Sequence, residues 1–112
     1  MGIELELHST RPARSNWDMS RGSFLQGSYE HGEALAGVLA TLKADGPGKL
    51  TWVDPYGNTQ FNAQEAQAAL GEIADLLERC ADAAQTAAVT DLAVLLKSCA
   101  RTPGSYLWFI GD

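Results

Sequence analysis

Apolar and polar residues alternate over residues 3–7, which is the period expected of a strand with one solvated face. Residues 9–28 follow as a long polar segment without a sustained period. Over residues 32–44 the apolar positions recur every three or four residues, and the glycine- and proline-rich residues 45–48 then end the pattern. The first part of the chain therefore predicts a strand, a long loop and a helix.

Two short runs of residues typical of strands, 50–53 and 59–61, flank the sequence D-P-Y-G-N. Proline presets φ in such a turn and glycine accepts a left-handed conformation, so the pattern predicts a β-hairpin. Asn62 is followed three residues later by Glu65, the spacing of a capping box at the start of a helix. The turn residues Asp54, Tyr56 and Asn58 are expected to be exposed together.

The second half of the chain predicts two helices and a last strand. One apolar face runs from Ala66 to Cys80 and a second from Val89 to Ala100, with a break near residues 84–86. Residues 106–110 are apolar on both faces, which is typical of a central strand. The order β-α-β-β-α-α-β predicts an α+β fold, a mostly antiparallel sheet of about four strands with helices packed on one face. Residues 1–112 are expected to form a single domain.

Charge narrows the partners that this chain can have. It carries 14 acidic and 8 basic residues, a net charge of −6, which disfavours binding to nucleic-acid phosphates or to anionic membrane surfaces. A protein with a basic surface is the favoured partner. No apolar run approaches the roughly 20 residues that cross a bilayer, and acids stand where a signal peptide has positive charge. A cytoplasmic location is therefore expected.

The sequence offers no convincing metal, cofactor or catalytic motif. A calcium loop that begins at Asp54 would have Tyr56 in a ligand position and Thr59 where the loop needs glycine. His8 and His31 lack a second histidine or cysteine at metal-ligand spacing, and no nucleophile-elbow pattern is present. No cofactor and no metal are predicted, and a non-enzymatic role is favoured.

Cys80 and Cys99 are predicted to be free thiols. In a helical hairpin that turns near Gln85, Cys80 lies five residues before the turn and Cys99 fourteen after it. At about 1.5 Å per residue the two cysteines are about 13 Å out of step, which is too far for a disulfide.

Two stretches carry a resemblance. Residues 54–62 read D-P-Y-G-N-T-Q-F-N, and residues 106–112 read Y-L-W-F-I-G-D. The chain thus resembles a family of small bacterial proteins that share a D-x-Y-G-D-T-x-F-N hairpin and an F-[IY]-G-D end. The resemblance supports the fold and implies no activity. Asn58 replaces the more usual aspartate of the hairpin, which argues against a cation site or a general acid there.

The first hypothesis is a protein-binding module, of the kind that immunity proteins and antitoxins represent, which inhibits a basic partner. Trp17 in the long loop is the favoured aromatic contact, whereas Trp52 and Trp108 are expected in the core or on a sheet face. The partner-binding residues are predicted to be Trp17, Asp54, Tyr56 and Asn58, with Glu72, Asp75, Glu78 and Asp82 steering association.

Two alternatives stay open. The first is a small ligand-binding domain or enzyme with a pocket between the 54–58 turn and the 9–28 loop. Its polar groups would be Asp54 and Tyr56, and Arg14 or Arg21 would engage an anionic ligand. The second is a homodimeric scaffold that closes through Trp108 and Phe109.

Overall fold

The computed structural model describes residues 2–10, 24–42, 46 and 48–111. The elements of these residues are, in chain order, β1 (Ile3–His8), β2 (Phe24–Ser28), α1 (Gly32–Leu39), a 3-10 helix (Lys49–Trp52), β3 (Asn58–Asn62), α2 (Ala63–Leu70), α3 (Ile73–Glu78), α4 (Ala83–Arg101) and β4 (Tyr106–Gly111). Among them, no helix combines the length and the apolar character that a membrane crossing requires.

The four strands form one sheet in the order β2-β1-β4-β3, and each neighbouring pair is antiparallel. The last strand in the chain, β4, lies between β1 and β3, as its pattern of apolar residues on both faces predicted. The predicted α+β fold with an antiparallel sheet is confirmed. β2 and β3 are the two edge strands.

The helices cover one face of the sheet. On this face Leu5 of β1 lies opposite Phe109 of β4, and Leu7 lies opposite Leu107, and all four side chains are buried. Different helices cover different strands of the sheet. α1 contacts β1, α4 contacts β1 and β4, and α2 contacts β3. The opposite face, which we call the open face, carries the alternate residues of each strand.

The predicted strand over residues 50–53 is wrong, because Lys49–Trp52 forms a 3-10 helix. The 3-10 helix is stabilised by Glu72, which follows its first residues in the chain by 22 and 23 positions. The carboxylate of Glu72 accepts hydrogen bonds from the backbone N–H groups of Lys49 (2.7 Å) and Leu50 (3.1 Å), which satisfies the free amides at the helix start. The predicted hairpin therefore does not form, and β3 pairs with β4 instead.

The predicted loop over residues 9–28 contains a strand, β2, at its end. This strand is mostly exposed and shows no alternation that would have revealed it. A side-chain hydrogen bond from the Ser28 hydroxyl to the Asp91 carboxylate ties it to α4. Residues 11–23 of the same loop lie outside the described part of the chain.

The helical half is divided differently from the prediction. The first predicted helix is split at Gly71 and Glu72 into α2 and α3, and the following break lies at residues 79–82 rather than 84–86. Asp82 caps α4 by accepting from the Gln85 N–H at 2.9 Å. Leu77 was expected on the buried face but is exposed, because the new start at α3 changes the helical phase.

The predicted capping box at the start of α2 is confirmed. The Asn62 side chain accepts from the Glu65 N–H at 2.8 Å, and the Glu65 carboxylate accepts from the Asn62 N–H at 3.0 Å. Cys80 and Cys99 are free thiols, as predicted, although the helical turn lies closer to Cys80 than expected. Burial raises the pKa of the Cys99 thiol.

Candidate functional site

The turn before β3 is held in shape by its own side chains. The Tyr56 N–H donates to Asp54 Oδ1 at 2.9 Å, and the Asp54 N–H donates to the Thr59 hydroxyl oxygen at 2.9 Å. The Gly57 N–H donates to the Asp54 carbonyl at 3.4 Å, which closes the turn. Both the backbone and the side chain of Asp54 therefore stabilise the turn.

The same turn packs against the end of β4. The Gly111 N–H donates to the Gly57 carbonyl at 2.8 Å. A Cβ added to Gly111 would lie 2.5 Å from the Pro55 oxygen, so only glycine fits there without movement of the turn. Phe61 and Phe109 also meet, with ring centroids 4.9 Å apart. The turn at residues 54–58, β3 and β4 are thus parts of one packed unit.

Two large aromatic side chains stand out from this unit. Tyr56 is 69% exposed and Trp52 is 64% exposed. The expectation that Trp52 lies in the core or on a sheet face is wrong, because the 3-10 helix buries Leu50 and turns Trp52 outward. The Lys49 ammonium lies 4.7 Å from the centroid of the Trp52 ring, a cation–π distance. We call Trp52, Asp54, Tyr56 and Asn58 the aromatic turn surface.

Sequence reasoning located most of this surface. Asp54, Tyr56 and Asn58 are all exposed, as predicted. It missed Trp52, and the available signal was that residues 49–52 contain one aliphatic residue only, too few for a buried strand. Trp17, Arg14 and Arg21 lie outside the described residues, so those predictions stay predictions.

The helix acids predicted to steer association make contacts within the chain. Glu72 holds the 3-10 helix and Asp82 caps α4. Asp75 accepts from Arg79 at 3.1 Å, an exposed pair of the kind that contributes little to stability. Glu78 is exposed on α3. Among the described residues, the carboxylates of Glu72, Asp82 and Glu78 form no ion pair with a cationic side chain. Their charges therefore still contribute to the negative electrostatic field of the protein.

A second polar cluster lies on the open face of the sheet. The Tyr29 hydroxyl donates to Glu6 Oε2 at 2.8 Å, and His8 Nε2 lies 3.1 Å from Glu6 Oε1. Burial, followed by the hydrogen bond and the charge of Glu6, raises the pKa of Tyr29 to about 12. His8 is buried and its ring makes edge contacts with Phe24 and Trp108. This cluster joins β1 to the residue that follows β2.

The structure gives little support to the ligand-pocket hypothesis. The Asp54 carboxylate is engaged inside the turn, and the 9–28 side of the predicted pocket lies mostly outside the described residues. A cavity of about 310 Å³ lies elsewhere, between the 3-10 helix and α3, where Leu50 and Leu76 line it. Within the described ranges, no group of three or more His, Cys, Asp or Glu side chains could hold a metal ion.

The predicted dimer contact through Phe109 is wrong. Phe109 is completely buried on the helix-covered face of the sheet. Trp108 lies on the open face, and its indole N–H is buried without a hydrogen-bond acceptor among the residues that the structure describes. Any association through Trp108 must therefore use the open face alone.

Comparison of the chain with family models, with curated proteins and with solved structures gave no match.

Proposed function

We propose that this chain is a non-enzymatic protein-binding module whose contact site is the aromatic turn surface. The observation that carries the proposal is the exposure of Trp52 and Tyr56 on either side of Asp54. Tryptophan and tyrosine are the residues most enriched among the energetic anchors of protein interfaces. Each supplies a large apolar area with few rotatable bonds, so little conformational entropy is lost when a partner covers it.

The backbone under these side chains is already ordered. Glu72 holds the 3-10 helix that carries Trp52, and the hydrogen bonds of Asp54 hold the turn that carries Tyr56. A preorganised site avoids the entropic cost of ordering a loop during binding. This arrangement supports binding through the turn rather than a purely structural role for its aromatic residues.

The proposed partner has a basic surface, and the proposed role is inhibition in the manner of an immunity protein or antitoxin. The net charge of −6 supports this choice, because a negative field accelerates encounter with a positively charged protein. Asp54 and Asn58 would contribute polar contacts beside the aromatic anchors. Glu72, Asp75, Glu78 and Asp82 would act at longer range.

The proposal is tested by capture from a lysate of the native host on immobilised protein. The Trp52→Ala/Tyr56→Ala double variant should retain captured basic proteins at least about tenfold more weakly than the original chain, since two anchors are lost. Val94→Ala is the matched control, because Val94 is an exposed apolar residue on α4, away from the turn.

All variants must first show the same circular dichroism spectrum and cooperative melting. Equal capture of the same proteins by the original chain and by the double variant would contradict the proposed site. Elution of the captured proteins by rising salt concentration would support a basic partner. Elution that does not depend on salt concentration would contradict an electrostatic contribution to binding.

A further inference from the structure

The edge strand β3 has backbone groups that face away from the sheet. The Gly111 N–H donates to the carbonyl of Gly57, and extending the β3–β4 register by one residue places Gly57 opposite Gly111, the position of a hydrogen-bonded pair, although the Gly57 N–H itself donates to Asp54. In an antiparallel ladder such pairs alternate along the strand. Thr59 and Phe61 therefore bond to β4 with their backbones, whereas the N–H and C=O groups of Asn58 and Gln60 point outward.

This edge lacks the features that usually prevent strand pairing. Natural edge strands are protected by lysine, proline, bulges or a covering segment. β3 has the sequence N-T-Q-F-N, without charge or proline, and its register with β4 is regular from Asn58 to Asn62. The other edge is different, since the register between β1 and β2 shifts between Leu7 and His8. Among the described residues, no strand pairs with the outer edge of β3.

The chain segment that forms this edge and the helix after it is also almost free of charge. Over residues 58–71 the only charged residue is Glu65, whose carboxylate is engaged in the capping box. α2 follows β3 directly and contacts it, with Gln64, Gln67, Ala68 and Gly71 exposed. Ala68 and Gly71 are small, so another helix can approach closely at that point.

We infer that the β3 edge and α2 bind a second copy of this chain. Two copies with a net charge of −6 repel each other, and a contact through the nearly uncharged residues 58–71 adds least to that repulsion. The contact shares Asn58 with the aromatic turn surface but does not use Trp52 or Tyr56, so the Trp52→Ala/Tyr56→Ala variant should still dimerise and the two proposals can fail separately.

The geometry of the contact follows from the outward groups. With a two-fold axis at Thr59, Asn58 of each copy lies opposite Gln60 of the other, and their amide and carbonyl groups hydrogen-bond reciprocally. The side chains of these residues lie on the same face, where the amides of Asn58 and Gln60 are complementary across the axis. The two sheets become continuous, and the α2 helices of the two copies lie next to each other on the helix-covered face.

The test uses sedimentation of the full chain from micromolar to sub-millimolar concentration. We expect a concentration-dependent dimer. Gln60→Lys places a charge opposite Asn58 of the second copy and diagonally across the two-fold axis from the same charge of that copy, and it should weaken dimerisation by about tenfold or more. Gln26→Lys is the matched control, because Gln26 is an exposed glutamine on the opposite edge strand. This control should leave the dimer intact.

Amide hydrogen exchange supplies a second readout that needs no variant. The N–H groups of Asn58 and Gln60 should exchange fast in dilute solution and slowly at high concentration, whereas those of Thr59 and Phe61 should be protected in both. The inference is overturned if the chain is monomeric at sub-millimolar concentration. It is equally overturned if a dimer tolerates Gln60→Lys, or if the Asn58 and Gln60 amides stay unprotected in the dimer.

Discussion

Glu6 contacts two other side chains on the open face of the sheet. Its two carboxylate oxygens contact the Tyr29 hydroxyl and the His8 ring. The pKa of Tyr29 rises from 10.0 to about 12, first through burial and then through the hydrogen bond and the charge of Glu6. A tyrosinate at this position would lose its donor hydrogen and meet a carboxylate, so the folded state favours the protonated phenol.

We expect Tyr29 to titrate at a pKa of about 12. Because its folded pKa lies above the unfolded value, the stability that it contributes is present below pH 10 and is lost as pH rises from about 10 to about 12. Glu6→Gln should lower the pKa of Tyr29 towards 10 without reaching it, since burial remains. Tyrosinate absorbance in the near ultraviolet measures this. Glu33→Gln, at an exposed glutamate, is the control, and titration of Tyr29 near its ordinary value would contradict the assignment.

The 3-10 helix depends on a residue in another element. Its first amides donate to Glu72, which lies between α2 and α3, and the Thr51 hydroxyl donates to the Gly48 carbonyl at 2.6 Å. A helix of four residues has too few internal hydrogen bonds to persist alone. The break between α2 and α3 therefore positions the carboxylate that shapes the segment carrying Trp52.

Glu72→Ala should lower the free energy of unfolding by about 1–2 kcal/mol, because two backbone donors lose their acceptor. The near-ultraviolet circular dichroism of the exposed tryptophan should also weaken as the 3-10 helix loses order. Denaturant unfolding measures the first effect. Glu78→Ala, on the exposed side of α3, should change stability by less than about 0.5 kcal/mol. Equal effects of the two substitutions would show that Glu72 does not hold the 3-10 helix.

The elements that the sequence predicted well depend on neighbours in the chain. The capping box of Asn62 and Glu65 and the central place of β4 follow from local spacing and from the apolar character of six consecutive residues. The 3-10 helix and β2 depend on contacts between distant residues, Lys49 with Glu72 and Ser28 with Asp91. No local pattern encodes those partners. The exposure of Trp52 depends on the same distant contact, and the only local signal for it is that residues 49–52 contain a single aliphatic residue.

At the scale of the whole molecule, the turn before β3 and the end of β4 are packed as one unit. An added Cβ at Gly111 would lie 2.5 Å from the Pro55 oxygen and 2.7 Å from the Asp54 oxygen, both backbone atoms of the turn. Movement of that turn would disturb both β3 and the segment that carries Tyr56. The packing of Gly111 against the turn therefore constrains both the sheet and the aromatic turn surface.

Gly111→Ala should destabilise the protein by about 1–3 kcal/mol through this steric overlap. The substitution should also make the turn that carries Tyr56 less ordered. Gly37→Ala is the control, because Gly37 lies within α1 and an added Cβ there meets no backbone atom and lies 3.0 Å from Gln85 Nε2. That control should change stability by less than about 1 kcal/mol, since the gain in helix propensity opposes a shift of the Gln85 side chain, which accepts from the Ala81 N–H. Chemical denaturation compares the two, and an unaffected Gly111→Ala protein would contradict the packing.

The central position of β4 also has a consequence for synthesis on the ribosome. β1 and β3 are made early but share no ladder, and β4, which joins them, is made after both. A nascent chain that lacks β4 can form the β1–β2 pair and its helices, yet the buried faces of β1 and β3 have no strand between them. The sheet can therefore be completed only after residues 106–111 have been made, and until then the apolar faces of β1 and β3 are exposed to aggregation.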